Sequence, residues 1–213
     1  MDVGGACSPA PARGIRLRKG GRTAEAAKTL LQDFAGYLQV DGYDAYNQIA
    51  ARADVQRLGC WAHARRKFFD ARRSEQALGM VQQIYVHESQ WRLFSAEERK
   101  AYQEQHTRPI MDGFKYWLDE QAPYVTPKSP TWQAFTYAQN QWPWLYAILE
   151  DGRLELDNNL IENKIRPLAL GRNNYLFAGS HSQSRFIGKA AQRIAMMYTF
   201  LGTCAANEVN PYE

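Results

Sequence analysis

Cysteine is scarce in this chain, and its three cysteines, Cys7, Cys60 and Cys204, lie far apart in the sequence. An odd, scattered set does not form a disulfide framework, so we expect a reducing compartment. Long apolar runs are also missing: the longest uncharged one, residues 194–206, is shorter than the ~20 residues of a membrane span. The N-terminus lacks the charged-then-apolar order of a signal peptide. These absences predict a cytoplasmic protein without a membrane partner.

The excess of positive charge is small, +4 formally, but it is unevenly distributed. Residues 1–73 contain 13 basic and 7 acidic side chains, whereas residues 74–150 contain 6 basic and 9 acidic ones. Residues 151–213 are close to balance, with 7 basic and 6 acidic. A nucleic acid would therefore meet the first third of the chain and be repelled by the middle. Basic surfaces are common, so charge alone is weak support for such a partner.

Composition and periodicity divide the chain into four parts. Residues 1–22 are rich in Gly, Ala, Pro and Arg without an apolar period, and we expect a disordered leader there. Residues 23–73 mix helix and strand patterns, and residues 74–150 show only helical spacing. Residues 151–213 return to a mixed pattern and end in a helix. The sequence therefore predicts an α/β domain interrupted by a large all-helical insertion.

The order of elements in the first mixed part is helix, strand, helix, strand, helix, over residues 24–35, 37–40, 43–53, 55–61 and 63–73. Gly36 is expected to end the first helix. In the middle part, helices are predicted over 76–87, 96–121 and 130–149. The last part is expected to hold a helix that carries Glu162, a hairpin over 173–178 and a final helix over 188–204. The tryptophans of the middle part are expected to pack its helices.

Asp41 follows an apolar strand directly and precedes Gly42. A carboxylate held at the end of a rigid strand is the kind of ligand that Mg²⁺ prefers. Asp-Gly is also among the commonest turn sequences, so the pair by itself favours a turn. Both interpretations remain open on this motif.

Glu162 lies in the segment DNNLIENKIRPLALGRNNYLFAGS, residues 157–180. Asn159 and Glu162 have the spacing of a capping box, in which each side chain satisfies a backbone donor at a helix start. Asn158, Glu162 and Arg166 are four residues apart and share one helix face. An amide, a carboxylate and a guanidinium on one face could bind a metal and a neighbouring phosphate. Arg172 is a further phosphate-contact candidate, and either arginine could instead pair with a nearby acid.

The helix predicted over residues 63–73, HARRKFFDARR, is basic and carries Arg65, Arg66 and Lys67 near its start. Arg and Lys commonly contact phosphates, but a solvated amphipathic face has the same composition. Cys60 and His63 have the spacing of half a zinc site. No second pair stands at a matching spacing, so a buried cysteine and a histidine in a polar network are the simpler interpretation.

Three long motifs, in order along the chain, resemble the transposases of the insertion-sequence 66 family. They are GYLQVDGYDAYN, GCWAHARRKFFDA and DNNLIENKIRPLALGRNNYLFAGS, and the end, MMYTFLGTCAANEVNPYE, is similar as well. The resemblance extends from about residue 23 to the last residue and is interrupted only by the middle part. Three ordered motifs are far more specific than one short pattern.

The resemblance implies a ribonuclease-H-like catalytic core with an Asp-Asp-Glu triad that holds two Mg²⁺ (or Mn²⁺) ions. Asp41 would match the second acid and Glu162 the third, with the helical insertion between them. Such enzymes cleave DNA strands and transfer them, so element ends and target DNA are the implied partners. Residues implied to position DNA are His63, Arg65, Arg66, Lys67, Arg166 and Arg172, and Asn158 and Asn159 are implied to support the acids.

The chain departs from the family pattern at the first acid. That acid is expected on a strand before residue 23, where the only acidic residue is Asp2, within a Gly/Ala/Pro-rich stretch. The upstream zinc-binding and DNA-recognition region is not seen either. We therefore expect a truncated piece of a transposase that is inactive alone. The alternative is a non-catalytic fragment that binds DNA, a second copy of itself or a full-length transposase.

Overall fold

The structure is a computed structural model. It describes residues 24–72, 74–159, 162, 163, 166, 170, 187–206 and 209–211. The described residues up to Asn159 belong to one compact unit, and those from Glu162 onward belong to a second.

The first unit begins with alternating helices and strands. These are α1 (Ala24–Leu30), β1 (Gly36–Gln39), α2 (Asn47–Ala50), β2 (Val55–Leu58) and α3 (Trp61–Asp70). The two strands pair in parallel, with Gly36 opposite Val55 and Gln39 opposite Leu58. Parallel neighbours require a crossover, which the turn Asp44–Tyr46 and helix α2 supply here. The order of elements predicted from the sequence is confirmed.

Three of the predicted boundaries are wrong, and α1 shows why. It ends at Leu30 rather than near residue 35. The Arg52 guanidinium donates hydrogen bonds to the carbonyl oxygens of Leu31, Gln32 and Phe34, at 2.9–3.0 Å. Carbonyls engaged by a side chain from elsewhere in the chain no longer need a helical partner. Gly36, with φ of +105°, then turns the chain into β1.

The other two wrong boundaries concern α2 and β2. The helix predicted over 43–53 is a 3₁₀ turn followed by the single turn Asn47–Ala50. The strand predicted over 55–61 stops at Leu58, because Trp61 already begins α3. The Trp61 indole is fully buried and its Nε1 donates to the Leu145 carbonyl oxygen at 3.0 Å. Burial of this ring fixes the start of α3 earlier than the apolar pattern indicated.

The middle of the chain is helical, as predicted. It contains α4 (Glu75–Gln90), α5 (Ala96–Tyr102), α6 (Arg108–Gln121) and α7 (Pro130–Tyr146). The π-helical turn Gln103–Thr107 joins α5 to α6, so the predicted helix over 96–121 is continuous. Ser95 starts α5 with a complete capping box, in which its hydroxyl and the Glu98 carboxylate each accept a backbone N–H.

One hydrophobic core joins β2 and α3 to the middle helices. Trp61 and Phe68 from α3 make edge-to-face contacts with Phe114 of α6, at centroid separations of 5.7 Å in both cases. Trp117 and Trp142 pack against the same cluster, as expected of the tryptophans in this part. The helical part is therefore built onto the strands rather than standing apart from them.

The second unit contains the long helix α8 (Ile187–Ala206), close to the predicted 188–204. The hairpin predicted over 173–178 lies outside the described residues. Among the described helices, none is long and apolar enough to cross a membrane. The described part is thus mostly helical with one small parallel sheet, which confirms the α/β order, while the ribonuclease-H-like core stays a prediction.

Candidate functional site

Asp41 lies just past the carboxyl end of β1, where the sequence placed it. Val40 is buried, and its N–H donates to the Leu58 carbonyl oxygen at 3.1 Å, which extends the parallel pairing by one residue. The Asp41 side chain is exposed, and its Oδ1 accepts the Tyr43 N–H at 3.0 Å. The carboxylate therefore closes a turn and still faces solvent, so the two interpretations of the Asp-Gly pair do not exclude each other.

The loop after Asp41 depends on a glycine. Gly42 has φ of +89°, a conformation that L side chains rarely adopt. A Cβ at this position would lie 3.1 Å from the side chain of Gln141 on α7. A second contact with α7 follows directly, because the Tyr137 hydroxyl donates to the Asp41 carbonyl oxygen at 2.9 Å. Burial raises the pKa of Tyr137 to about 12, so this hydroxyl remains a donor at neutral pH.

A buried arginine stands behind this loop. Arg57 on β2 is 4% exposed; its guanidinium donates to Asn47 Oδ1 at 2.8 Å and stacks 3.9 Å from the Trp144 ring centroid. Burial lowers the pKa of Arg57, and the nearby carboxylates of Asp44 and Asp41 oppose that shift. The loop that carries Asp41 therefore stands in front of a buried cation.

The two residues that lead into the DNN segment, Glu155 and Leu156, are attached near the ends of both strands. The Gln39 side-chain amide donates to the carbonyl oxygens of Gly59 and Glu155, at 3.1 and 2.8 Å. The Trp61 N–H donates to the Leu156 carbonyl oxygen at 3.0 Å. Because the carboxyl ends of parallel strands share one edge of the sheet, these bonds bring the second and third sequence motifs to the edge that carries Asp41.

Side chains of the same motifs also meet. The fully buried Cys60 thiol donates to Asn158 Oδ1 at 3.1 Å, and burial raises the pKa of Cys60. The Asp157 carboxylate accepts the Asn159 N–H at 3.0 Å and the Asn159 side-chain amide at 2.9 Å. Asn159 is already helical, so Asp157 binds the first turn of the helix that carries Glu162. The Tyr85 hydroxyl completes the arrangement by donating to Asp157 Oδ2 at 2.6 Å.

Helix α3 carries the predicted basic residues on its solvent side. Arg65, Arg66 and Lys67 are exposed, and His63 is half-buried. The Lys67 ammonium lies 5.8 Å from the centroid of the Tyr137 ring, the ring whose hydroxyl binds the Asp41 backbone. A positively charged surface therefore lies beside the candidate metal ligand.

Glu162 and Arg166 are helical and exposed, and both belong to the second unit. Arg172 lies outside the described residues. Within the described part of the chain, no three His, Cys, Asp or Glu side chains are grouped closely enough to hold a metal ion. The structure thus brings Asp41, Cys60 and Asn158 to one edge of the sheet, and it describes Glu162 separately.

Sequence reasoning missed the side chains that hold this edge together, chiefly Arg57, Tyr85, Tyr137 and Gln141. Arg57 offered one clue, because strand alternation puts it on the same side as the apolar Val55. The residues on α4 and α7 offered none, since their partners are distant in sequence.

Comparison with known proteins agrees with the three motifs. The model of the "Transposase IS66 family" matches residues 16–185, which include Asp41, the whole middle part and Glu162. No solved structure is detectably similar to the chain.

Three curated relatives come from Sinorhizobium fredii. "Uncharacterized protein y4qI" is 36% identical over 207 residues, which cover 91% of this chain and 37% of the relative. "Uncharacterized protein y4hP" is 30% identical over 95% of this chain and 39% of its own length. "Uncharacterized protein y4jD" is 31% identical over 96% of this chain and 41% of its own length. The chain spans about two fifths of the length of these relatives. By its motifs and by the extent of the family match, the chain belongs to the IS66 family of transposases.

Proposed function

We propose that this chain carries part of the catalytic core of a DNA transposase, which cleaves DNA strands and transfers them with the help of divalent metal ions. The observation that supports this most is the family match, which extends across both candidate acids. The position of Asp41 fits the proposal, because it is an exposed carboxylate at the carboxyl edge of a parallel strand pair. The α1–β1–α2–β2–α3 order would form one part of a ribonuclease-H-like sheet.

Asp41 and Glu162 would be the metal ligands in this proposal. Mg²⁺ and Mn²⁺ bind oxygen donors, and the two carboxylates supply these. One oxygen of Asp41 accepts the Tyr43 N–H, and within the described residues no donor reaches the other. When bound, two such ions would activate a water or a DNA 3′-hydroxyl and stabilise the leaving oxygen at phosphorus. Asn158 and Asn159 would support the start of the helix that carries Glu162.

The DNA would lie along the solvent side of α3. Arg65, Arg66 and Lys67 are exposed there, and they would contact phosphates of an element end or of the target. His63 would help to position the strand, and Arg166 and Arg172 would steady phosphates near Glu162. The DNA would thus be recognised mainly by the negative charge of its phosphate backbone.

A second candidate function is binding without catalysis. The sequence supplies convincing matches for two of the three acids, Asp41 and Glu162, and this favours a chain that does not cleave DNA alone. Such a chain would bind DNA, another copy of itself or a full-length transposase, and would interfere with transposition at most. The catalytic candidate, and the DNA-binding form of the second one, both require the α3 surface to bind DNA.

The experiment that tests the DNA contact is a salt series of fluorescence-anisotropy titrations on a labelled duplex. Each lost phosphate contact should lower the salt dependence, the slope of log K against log salt concentration, by about 1. We expect Arg65→Ala and Arg66→Ala each to produce such a loss. Arg92→Ala is the matched control, because Arg92 is also exposed but lies beyond α4. An affinity that does not depend on salt, or equal losses for all three variants, would rule out a phosphate-binding α3.

A further inference from the structure

Helix α7 carries two side chains that contact the loop bearing Asp41, those of Tyr137 and Gln141, and a third, that of Trp144, that stacks on Arg57 behind the loop. Tyr137, Gln141 and Trp144 are spaced at i, i+4 and i+7 and therefore share one helix face. The end of β2 is fixed to the same helix, since the Gly59 N–H donates to the Trp144 carbonyl oxygen at 2.8 Å. The candidate metal ligand thus rests on a helix that lies almost one hundred residues later in the chain.

Tyr137 makes the direct contact. Its hydroxyl donates to the backbone carbonyl oxygen of Asp41, while the Asp41 side chain accepts the Tyr43 N–H. The first bond fixes the position of the Asp41 backbone, and the second fixes the direction of its carboxylate. Because both bonds are made to Asp41, loss of the Tyr137 bond should let the Asp41 backbone move and so weaken the bond between the Tyr43 N–H and the Asp41 carboxylate.

Gln141 and Arg57 act on the next residues of the loop. The Gln141 side chain lies 3.1 Å from the position that a Cβ of Gly42 would take, so it packs directly on the turn. Gln141 Oε1 is also 3.5 Å from Arg57 Nη2, and Arg57 reaches the far end of the loop at Asn47. Within the described residues no carboxylate lies within ion-pair distance of Arg57. Its charge is therefore available to attract Asp41 and Asp44 at longer range.

We propose that Tyr137 and Gln141 on α7, together with Arg57 on β2, are positioning residues that hold Asp41 in its orientation for metal binding. This inference rests on the proposed function of Asp41. It makes the helical middle part a component of the active site, since α7 supplies two of the three groups. Neighbours that orient a metal ligand commonly contribute 10- to 100-fold to metal affinity.

The test compares Tyr137→Phe with the unchanged chain by amide hydrogen exchange measured by NMR. Phe retains the ring, so the packing against α3 and the contact with Lys67 are preserved while the hydroxyl is lost. We expect the Tyr43 amide, which binds the Asp41 carboxylate, to exchange about fivefold faster, the effect of one lost hydrogen bond. Tyr116→Phe is the matched control, because its hydroxyl binds Glu120 on the exposed side of α6.

Unchanged exchange at Tyr43 in Tyr137→Phe would overturn the proposal. So would an equal rise at every amide of the first unit, since that would show a loss of overall stability rather than of positioning. The same samples titrated with Mn²⁺ separate this inference from the proposed function. If Asp41→Asn does not weaken Mn²⁺ binding, the proposed role of Asp41 fails whatever the Tyr43 amide shows. If Asp41→Asn abolishes binding, Tyr137→Phe should weaken it about tenfold.

Discussion

Replacing Arg99 by methionine should lower the free energy of unfolding far more than the replacement of a charged residue on an exposed helix face. Arg99 is 8% exposed and pairs with Glu88, itself 9% exposed, at 3.1 Å. The same guanidinium donates to the Leu154 carbonyl oxygen at 3.2 Å and lies 3.5 Å from the Glu155 carboxylate. Arg99 therefore connects α4 and α5 to the segment that leads to Asn158.

The size of this loss follows from the Glu88 carboxylate, which stays buried after Arg99 is removed. In Arg99→Met, Glu88 keeps only the bond from the Gln103 amide, at 3.0 Å, and becomes a buried carboxylate without a cation. Removing one partner of a buried pair typically costs about 3–5 kcal/mol. Lys115→Met is the matched control, because Lys115 pairs with Asp119 at i, i+4 on an exposed face. That change should cost about 0.3–0.5 kcal/mol.

The loss of unfolding free energy in Arg99→Met should become larger as the pH rises. Burial already raises the pKa of Glu88 above its ordinary value of 4.5, and Gln103 and Arg99 oppose that shift. Without Arg99 the pKa of Glu88 rises further. A group with a raised folded pKa contributes stability below its unfolded pKa and loses it as the pH rises through the folded pKa. The deficit should therefore be smallest near pH 4.5 and grow towards pH 7.

The assay is urea denaturation followed by tryptophan fluorescence, at several pH values. All six tryptophans lie between residues 61 and 144, so the emission reports on the first unit. The free energy of unfolding should fall by about 3–5 kcal/mol for Arg99→Met at pH 7. A loss no larger than that of Lys115→Met, or a deficit that does not shrink on acidification, would refute this reasoning.

Two further changes test the contacts around the DNN segment. Because burial raises the pKa of Cys60 above 9.0, its stabilising contribution is present below pH 9 and is lost as the pH rises through the folded pKa. In urea denaturation from pH 8 to 10, the free energy of unfolding of the unchanged chain should therefore fall with pH more steeply than that of Cys60→Ser, by up to about 1.4 kcal/mol per pH unit. Equal slopes of unfolding free energy against pH would contradict a buried thiol. Gly152→Ala should lower the melting temperature sharply, since its Cβ would stand 1.9 Å from the Ala96 carbonyl oxygen, at a cost of about 2–3 kcal/mol. Gly113→Ala meets no atom within 4 Å and should be neutral or stabilising; similar melting temperatures for both variants would show that Gly152 is not closely packed.

Local sequence patterns predicted the strands and the position of Asp41 well. The short apolar run before Asp41 lies between Gly36 and the Asp41-Gly42 pair, so neighbouring residues alone mark both the strand and its end. The element boundaries were less predictable where a distant group intervened. Arg52 binds the carbonyls that follow the end of α1 at Leu30, and the burial of Trp61 starts α3 early. Such contacts are set by tertiary packing, which periodicity does not encode.

The surroundings of Asp41 were the least predictable part. Tyr137 and Gln141 lie in a stretch whose spacing predicts an ordinary amphipathic helix, and nothing local marks them as neighbours of Asp41. The partner of Cys60 was equally hidden, because Asn158 follows 98 residues later. The sequence suggested candidates for the chemistry, and the fold shows which side chains contact Asp41 and Cys60.

The measurement that tests the central claim most directly is paramagnetic broadening of side-chain NMR signals during a Mn²⁺ titration. If Asp41 and Glu162 bind a common divalent ion, their signals should broaden over the same range of Mn²⁺ concentration. Asp41→Asn should then remove the broadening at Glu162, because one ligand is not enough to hold the ion, while Asp33→Asn, an exposed control on the α1–β1 connection, should leave it unchanged. Broadening at Glu162 that persists undiminished in Asp41→Asn, or none at either acid in the unchanged chain, would contradict the proposed metal-dependent core.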